Sequence, residues 1–125
     1  MAPDAFKKAV ESFDIDAVVA QLAPDIVFHG PVTFKPFIGK DAVAGLFAIL
    51  FQTFKDFRYV GEFSGPNGTI LHFKTRVGDR DVEGIDLVRT NADGLIDDFT
   101  VMVRPLSAVH ALRDAIGSAL GAQPS

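Results

Sequence analysis

The residue of this sequence best suited to acid–base chemistry is Asp86, which lies inside an apolar stretch that runs from Val82 to Val88. A carboxylate that faces an apolar interior loses its hydration, which is costly unless the group is protonated or paired. Perturbed acids of this kind concentrate at functional sites, so Asp86 is predicted to act as a general acid or base. The alternative is a structural acid whose carboxyl group is satisfied by a hydroxyl or a backbone amide.

The direction of the Asp86 side chain follows from the turn at Gly78-Asp79, which has the composition of a two-residue hairpin loop. Such a loop places Leu71 opposite Asp86 and puts Phe73 on the same face of the sheet. Because side chains alternate along a strand, a slip of one residue would move Asp86 to the outer face. The pattern therefore predicts that Asp86 lies on the inner face among apolar neighbours.

The same register predicts the outer face of this hairpin. It places Arg76 opposite Asp81 and Lys74 opposite Glu83, and opposite charges across a strand pair stabilise a sheet. An outer face that is also partly apolar predicts a homodimer. The residues expected at that interface are His72, Ile85, Leu87, Thr100 and Met102.

Three further residues could join Asp86. A four-residue loop at Asn91–Gly94 would place Phe99 opposite Asp86. Asp97 shares that face but lies at a strand end beside the loop, where a solvated position is favoured. Tyr59 is the only tyrosine, and strand alternation turns it inward. Its hydroxyl then needs a partner, which could be Asp86 or a ligand. The alternative for Tyr59 is a rim position with its hydroxyl in water.

The elements that must position these residues follow from the spacing of apolar residues, which changes after residue 56 from the period of a helix to that of a strand. Before residue 56, apolar residues recur at helical spacing in three segments, the first of which places Phe6, Val10 and Phe13 on one helix. A short strand (Ile26–His29) and a loop (Gly30–Gly39) separate the second predicted helix, which ends at Pro24, from the third. After residue 56, turns divide the chain into strands at Phe57–Phe63, Thr69–Val77, Arg80–Arg89 and Leu95–Arg104. A last helix is predicted from Pro105. The prediction is an α+β domain over residues 1–120, with a flexible tail at 121–125.

Three segments of the chain are informative together. They run from Asp14-Ile15-Asp16-Ala17-Val18 to Phe28-His29-Gly30-Pro31, from Phe37 to Val43, and from Gly84 to Ile96. These segments resemble the nuclear transport factor 2-like superfamily, which includes the SnoaL-like polyketide cyclases. The resemblance implies a cone-shaped α+β barrel with three N-terminal helices, a strongly bent antiparallel sheet and a C-terminal helix. It also implies a deep apolar pocket and commonly a homodimer. The fold hosts unrelated functions, so the resemblance alone does not give the activity.

Compared with ketosteroid isomerase, a member of this superfamily, the site residues match only in part. The oxyanion-hole aspartate of that enzyme has its counterpart at Asp86. The general base falls at Gly30 and the oxyanion-hole tyrosine at Phe6, neither of which can do that chemistry. The catalytic aspartate of limonene-epoxide-hydrolase-like members would fall near Val101. Both constellations are therefore incomplete in this sequence.

Twelve phenylalanines among 125 residues predict a wide apolar interior or an oligomer face. In the resembled fold, the helix after Gly39 covers the pocket, so its aromatic stripe serves as core and as pocket lining. The residues expected to bind a ligand are Phe6, Phe28, Phe47, Phe51, Tyr59, Leu71, Phe73, Val88, Phe99 and Val101.

Composition argues against several other classes of protein. There is no cysteine, and the net charge of −4 comes without a basic stripe, so a nucleic-acid partner is not expected. His29, His72 and His110 lack metal-ligand spacing, so no metal is expected. Of these, His29 is the one that could reach the pocket, and otherwise it is structural. No apolar stretch is long enough for a bilayer, and the first residues do not resemble a signal peptide. A cytoplasmic protein is the expectation.

Two functions from different classes remain open at this stage. The first is a cofactor-independent cyclase or isomerase, in which Asp86 transfers protons on a small apolar polyketide-, steroid- or terpenoid-like molecule. The second is a non-catalytic module of the same fold that binds an apolar ligand or assembles with another protein. A second polar group within hydrogen-bond reach of Asp86 would favour the enzyme.

Overall fold

The computed structural model describes residues 3–119 and confirms the α+β class. Within those residues there are four helices: α1 (Pro3–Glu11), α2 (Ile15–Val19), α3 (Lys40–Thr53) and α4 (Leu106–Ala119). The strands are β1 (Leu22–His29), β2 (Phe37–Ile38), β3 (Phe54–Gly65), β4 (Gly68–Val77), β5 (Arg80–Thr90) and β6 (Ile96–Arg104). The predicted tail at 121–125 lies outside the described residues.

The strands form one six-stranded sheet in the order β2-β1-β6-β5-β4-β3. Strand β1 runs parallel to β6, and the other neighbouring strands are antiparallel. The sheet is therefore mixed and open, with β2 and β3 at its edges, which corrects the prediction of an antiparallel, barrel-like sheet. Parallel strands need a long crossover connection, and here helix α3 and the three strands β3 to β5 lie between β1 and β6.

Strand β1 begins at Leu22, earlier than predicted, and it contains Pro24. The prediction used Pro24 to end a helix, but α2 already ends at Val19. The pairing of β1 with β6 is irregular between Leu22 and Val27, so the missing amide hydrogen of Pro24 interrupts no regular ladder. Strand β2 lies in the segment predicted as a loop, because two of its residues pair with the end of β1.

Two element boundaries also differ from the prediction. Helix α1 ends at Glu11, so Phe13 lies beyond the helix on which its spacing placed it. Strand β3 begins at Phe54, immediately after α3, rather than at Phe57. The apolar residues near both boundaries fit the period of a helix and that of a strand, so periodicity alone could not place the transition.

The hairpin between β4 and β5 has the predicted register, with Leu71 opposite Asp86 and Phe73 opposite Gly84. Alternate residues of β5, including Val82 and Val88, are buried with Asp86. The register thus directs an acid into the interior, as the turn composition indicated.

The charged residues on the outer face are cross-strand neighbours as predicted, but they form ion pairs with other partners. The Glu83 carboxylate contacts His72 and Arg104, each at 2.7 Å. The Arg76 guanidinium contacts Asp56 at 3.4 Å. Arg104 lies directly opposite Glu83 on β6, whereas His72 and Asp56 are diagonal neighbours of their partners, so opposition within the β4–β5 hairpin alone does not decide the ion pairs.

The hairpin between β5 and β6 is shifted by two residues from its predicted register. Asp86 lies opposite Val101, whereas the prediction placed it opposite Phe99. One residue of the shift comes from the loop, which spans five residues (91–95) rather than four. The other comes from a β-bulge at Asp97. Two single shifts restore the alternation of side chains, so Phe99 and Val101 still face inward.

The core lies between the inner face of the sheet, which carries Asp86, and the helices α1, α3 and α4. Three phenylalanines, Phe28, Phe73 and Phe99, are almost completely buried there. Within residues 3–119, no helix combines the length and the apolar character needed to cross a bilayer.

Candidate functional site

Asp86 and Tyr59 form a hydrogen-bonded pair inside the fold. The Tyr59 hydroxyl donates to Asp86 Oδ2 at 2.7 Å, a normal length for this type of bond. Asp86 is only 5% exposed. Of the two positions predicted for Tyr59, the inward one with Asp86 as partner is therefore confirmed. Asp86 thus has a second polar group within hydrogen-bond reach, the Tyr59 hydroxyl. Such a group distinguishes a candidate catalytic carboxyl from an acid satisfied by backbone amides.

The position of Tyr59 depends on a local irregularity and on a contact with helix α1. The pairing of β3 with β4 shifts immediately after Tyr59, and such bulges redirect side chains. The tyrosine ring packs edge-on against Phe57 and Phe73, with ring centroids 5.0 and 6.4 Å away. The Glu11 carboxylate accepts a hydrogen bond from the Tyr59 backbone amide at 3.0 Å. These contacts hold the hydroxyl against Asp86.

Burial controls the protonation of both groups. Desolvation raises the pKa of Asp86 from 3.8 to about 7, and the hydrogen bond from Tyr59 opposes that rise. Burial also raises the pKa of the Tyr59 hydroxyl well above its usual value, as do the charge of Asp86 and the hydrogen bond between them. Near neutral pH, Tyr59 is therefore a permanent proton donor, and Asp86 exchanges its proton readily.

The pair lines a narrow cavity of about 50 Å³ between the helices and the sheet. Among the described residues, Tyr59 and Asp86 supply the only polar side chains of its wall. Pockets that hold drug-sized ligands measure about 300–1,000 Å³. A larger ligand therefore needs aromatic side chains of the wall to move.

Most of the side chains predicted to bind a ligand line this cavity. The lining includes Phe28, Phe47, Phe51, Tyr59, Phe73, Phe99 and Val101 together with Asp86. Phe6, Leu71 and Val88 are buried but lie outside the lining. Phe6 packs behind the wall, with its ring 5.6 Å from that of Phe99 and 6.4 Å from that of Phe47.

The prediction missed lining residues of three kinds. Helices contribute Val10, Leu46, Leu50, Leu112 and Ile116. Strand β3 contributes Phe54 and Phe57, and connecting segments contribute Phe13, Gly30, Pro31 and Val32, with Phe37 from β2. The inward helical spacing of Leu46, Leu50, Leu112 and Ile116 was visible in the sequence. No local pattern indicated that the segment after β1 folds back over the cavity.

The remaining candidates lie away from the cavity. His29 contacts Asp98 at 3.5 Å, and neither residue is part of the wall. Asp97, predicted to be solvated, is half-buried in the bulge of β6 and does not line the cavity. Within residues 3–119, no three His, Asp or Glu side chains cluster as a metal site would require.

Comparisons with known proteins agree with this geometry. A family model of the SnoaL-like domain matches residues 4–99. The chain belongs to the SnoaL-like domain family. Among curated proteins, no relative of this SnoaL-like chain was found.

Solved structures share the fold of this SnoaL-like domain. An uncharacterized bacterial protein with a cystatin-like fold from Silicibacter pomeroyi DSS-3 is 34% identical, with 96% of this chain and 85% of that one covered and a TM-score of 0.91. A steroid delta-isomerase from Pseudomonas aeruginosa is 33% identical, with coverage of 96% and 89% and a TM-score of 0.90. An NTF2-like protein of unknown function from Cytophaga hutchinsonii is 18% identical, with coverage of 82% and 87% and a TM-score of 0.65, and shows the fold alone.

The SnoaL-like fold, its isomerase neighbour and the cavity together support a domain that binds small molecules. The positions where the resemblance expected further catalytic groups are apolar here. Gly30 and Val101 line the cavity and Phe6 lies behind it. Among the described residues of the wall, Asp86 and Tyr59 are therefore the only side chains suited to acid–base chemistry.

Proposed function

We propose that this SnoaL-like domain binds a small apolar molecule with a carbonyl group and transfers a proton beside that carbonyl without a cofactor. The observation that carries the proposal is the 2.7 Å hydrogen bond between Tyr59 and Asp86 in an otherwise apolar wall. Polyketide-, steroid- and terpenoid-like molecules combine an apolar body with few polar groups, as this wall requires. The similarity to a steroid delta-isomerase supports the same class of ligand.

Asp86 is the proton carrier in this proposal. When ionised, its carboxylate takes a proton from the carbon next to the carbonyl, and the electron pair of that C–H bond moves onto the carbonyl oxygen. A carboxyl with a pKa of about 7 is a much stronger base than one at 3.8, and it remains partly ionised at neutral pH. The neutral acid then returns the proton to another carbon, which gives an isomer. In a cyclisation, the enolate carbon instead attacks a second carbonyl, whose π electrons move onto its oxygen, and the neutral acid gives its proton to that oxygen.

Tyr59 stabilises whichever oxygen carries the negative charge. In the resting protein its hydroxyl donates to Asp86. After Asp86 takes the proton, the charge is on the enolate oxygen, and the same hydroxyl can donate to it. A fixed donor in a dry cavity stabilises developing charge more than water does. The raised pKa keeps Tyr59 protonated throughout.

A binding module without chemistry is the second candidate. Two observations favour it: the wall offers no polar side chain beyond the pair among the described residues, and the cavity volume is only about 50 Å³. In that case Asp86 and Tyr59 orient a hydroxyl or carbonyl of the ligand, which is not converted.

We also propose that the chain forms a homodimer through the outer sheet face. Met102 on that face is 55% exposed, and Ile85 and Leu87 are half-buried. Exposed apolar area of this kind is typical of association surfaces. A cytoplasmic location stays a prediction from the sequence.

Two experiments test the proposed function. Native mass spectrometry of the purified protein would reveal a small molecule that co-purifies with it. Turnover of a β,γ-unsaturated ketosteroid, followed by the absorbance of the conjugated product, tests the chemistry directly. The variants D86N and Y59F keep the shape of the cavity. We expect D86N to abolish turnover and Y59F to reduce it by about 10²-fold or more, as expected for loss of a donor to the developing oxyanion.

Asp97→Asn is the matched control, because it removes a carboxyl from the neighbouring strand outside the wall. This variant should retain activity. Binding of β-naphthol, a flat apolar enol mimic, separates the two candidates. Binding that depends on Asp86 without turnover of carbonyl substrates supports the binding module. Turnover unchanged in D86N would exclude Asp86 as the proton carrier.

A further inference from the structure

Phe13 is the most exposed described side chain of the cavity wall. It is 40% exposed, and every other described residue of the wall is buried or half-buried. Phe13 lies between α1 and α2, beyond the end of the helix on which its spacing had placed it. Because a cavity reaches solvent where its wall is least buried, Phe13 is the candidate for its opening.

The backbone at Phe13 has a conformation that phenylalanine rarely adopts. Its φ of +53° is in the left-handed region, which disfavours bulky side chains. The Phe13 amide donates to the Val10 carbonyl at 3.0 Å and the Asp14 amide donates to the Ala9 carbonyl at 2.9 Å. This pair of bonds is the Schellman motif that ends many helices, and glycine is usual at the position of Phe13. A phenylalanine here indicates that its ring is needed.

The left-handed backbone turns the ring onto Phe51 of α3. The two rings stack with centroids 5.3 Å apart and an angle of 25° between their planes. Phe51 in turn packs edge-on against Phe47, at 6.0 Å, in the buried part of the wall. Hydrogen bonds fix the backbone on both sides of Phe13, since Asp14 also caps α2 through the Ala17 amide at 3.1 Å. The ring is therefore the part that can move.

We propose that the Phe13 ring is the gate of this cavity and selects flat apolar ligands. The ring rotates off Phe51 while the hydrogen-bonded backbone stays in place. This rotation uncovers one face of the Phe51 ring. An incoming planar molecule then stacks on that face as it passes toward the Tyr59–Asp86 pair. The selectivity rests on the proposed function, whereas the gate itself does not.

Tyr59 provides a direct measurement of the gate. The chain has one tyrosine and no tryptophan, so all intrinsic emission at tyrosine wavelengths comes from inside the cavity. Acrylamide quenches that emission only when it reaches the ring. We expect the variants F13A and F13G to raise the Stern–Volmer constant by about two-fold or more, because both open a path that the closed ring blocks.

The two variants separate the ring from the backbone. Glycine relieves the left-handed conformation and alanine does not, so F13G should melt at a higher temperature than F13A, with equal access of acrylamide. Phe34→Ala is the matched control. Phe34 is fully exposed and lies outside the wall, so its loss should leave quenching unchanged.

Unchanged quenching in both Phe13 variants would overturn the gate. An equal rise in the Phe34 variant would overturn it too, because the rise would then reflect general loosening. Stopped-flow binding of β-naphthol gives the second readout. The association and dissociation rates should both increase in F13A, and the affinity should change less than either rate. If the wild-type protein does not bind β-naphthol but the quenching result holds, the gate stands and the proposed ligand class fails.

Discussion

Replacing Asp86 with asparagine should remove a loss of stability that the wild-type protein undergoes as pH rises. In the folded protein the pKa of Asp86 is raised from 3.8 to about 7, so the unfolded chain loses this proton at lower pH than the folded one. Stability from this group is fully present below the lower pKa and is lost as pH rises toward the upper one. The interval of about 3 pH units, at about 1.36 kcal/mol each, corresponds to about 4 kcal/mol.

The expected observation is a difference in unfolding free energy between D86N and wild type that changes with pH. Asparagine does not titrate, so the free energy of unfolding of D86N relative to wild type should rise by about 4 kcal/mol between about pH 4 and about pH 8. The remaining titratable groups are common to both proteins, so their contributions to this difference largely cancel. Urea denaturation followed by circular dichroism at several pH values measures this difference.

A constant difference across this range would refute the reasoning. A purely structural carboxylate, already ionised at low pH, predicts that result: D86N would be destabilised by about 1–3 kcal/mol at every pH through a broken hydrogen bond. The two hypotheses for Asp86 therefore predict different slopes when the stability difference between D86N and wild type is plotted against pH. The measurement needs no substrate.

Three other predictions follow from the same contacts. In Y59F, loss of the hydrogen bond that lowers the pKa of Asp86 should raise that pKa further; a carbon-detected NMR titration of the carboxyl measures it, and an unchanged midpoint would contradict the pairing. Gly84→Ala should destabilise the protein by about 1–3 kcal/mol, because a Cβ there would lie 2.6 Å from the Phe73 ring and against the Met102 carbonyl. Gly45→Ala is its control in urea denaturation, since a Cβ at Gly45 meets nothing within 4 Å. Sedimentation equilibrium at micromolar concentration should show a homodimer, and Met102→Asp should shift it toward monomer; a wild-type monomer would exclude the proposed interface.

Local patterns in the sequence were sufficient for the first hairpin. Two turn residues at Gly78-Asp79 and strict alternation fixed the register that turns Asp86 inward. The register predicted for the second hairpin differs by two residues from the observed one, because the pattern of apolar residues does not indicate a bulge. The inner face was still assigned correctly, since an even shift preserves the alternation.

Long-range pairings were beyond these patterns. Strand β1 pairs in parallel with β6, although most of the chain lies between the two strands in sequence. No local signal distinguishes that arrangement from an antiparallel one. The same limit applies to the cavity wall. Phe13 fits a helical period, so the sequence pattern placed it on the first helix. In the structure, the hydrogen bonds of the Schellman motif end that helix before Phe13.

The Tyr59–Asp86 pair depends on two placements that are independent of each other. The β4–β5 register directs Asp86 inward, and the irregular pairing of β3 after Tyr59 directs the hydroxyl toward it. A slip of the β4–β5 register would leave the Tyr59 hydroxyl without Asp86, and a regular β3 would leave the buried Asp86 carboxyl without Tyr59. A buried polar group without a partner costs more free energy than the hydrogen bond returns. A fold that needed only a filled core could replace the pair with apolar side chains of similar size. Because the pair is instead held in the narrow apolar cavity behind Phe13, the energetics favour a role in binding or proton transfer over a role in stability.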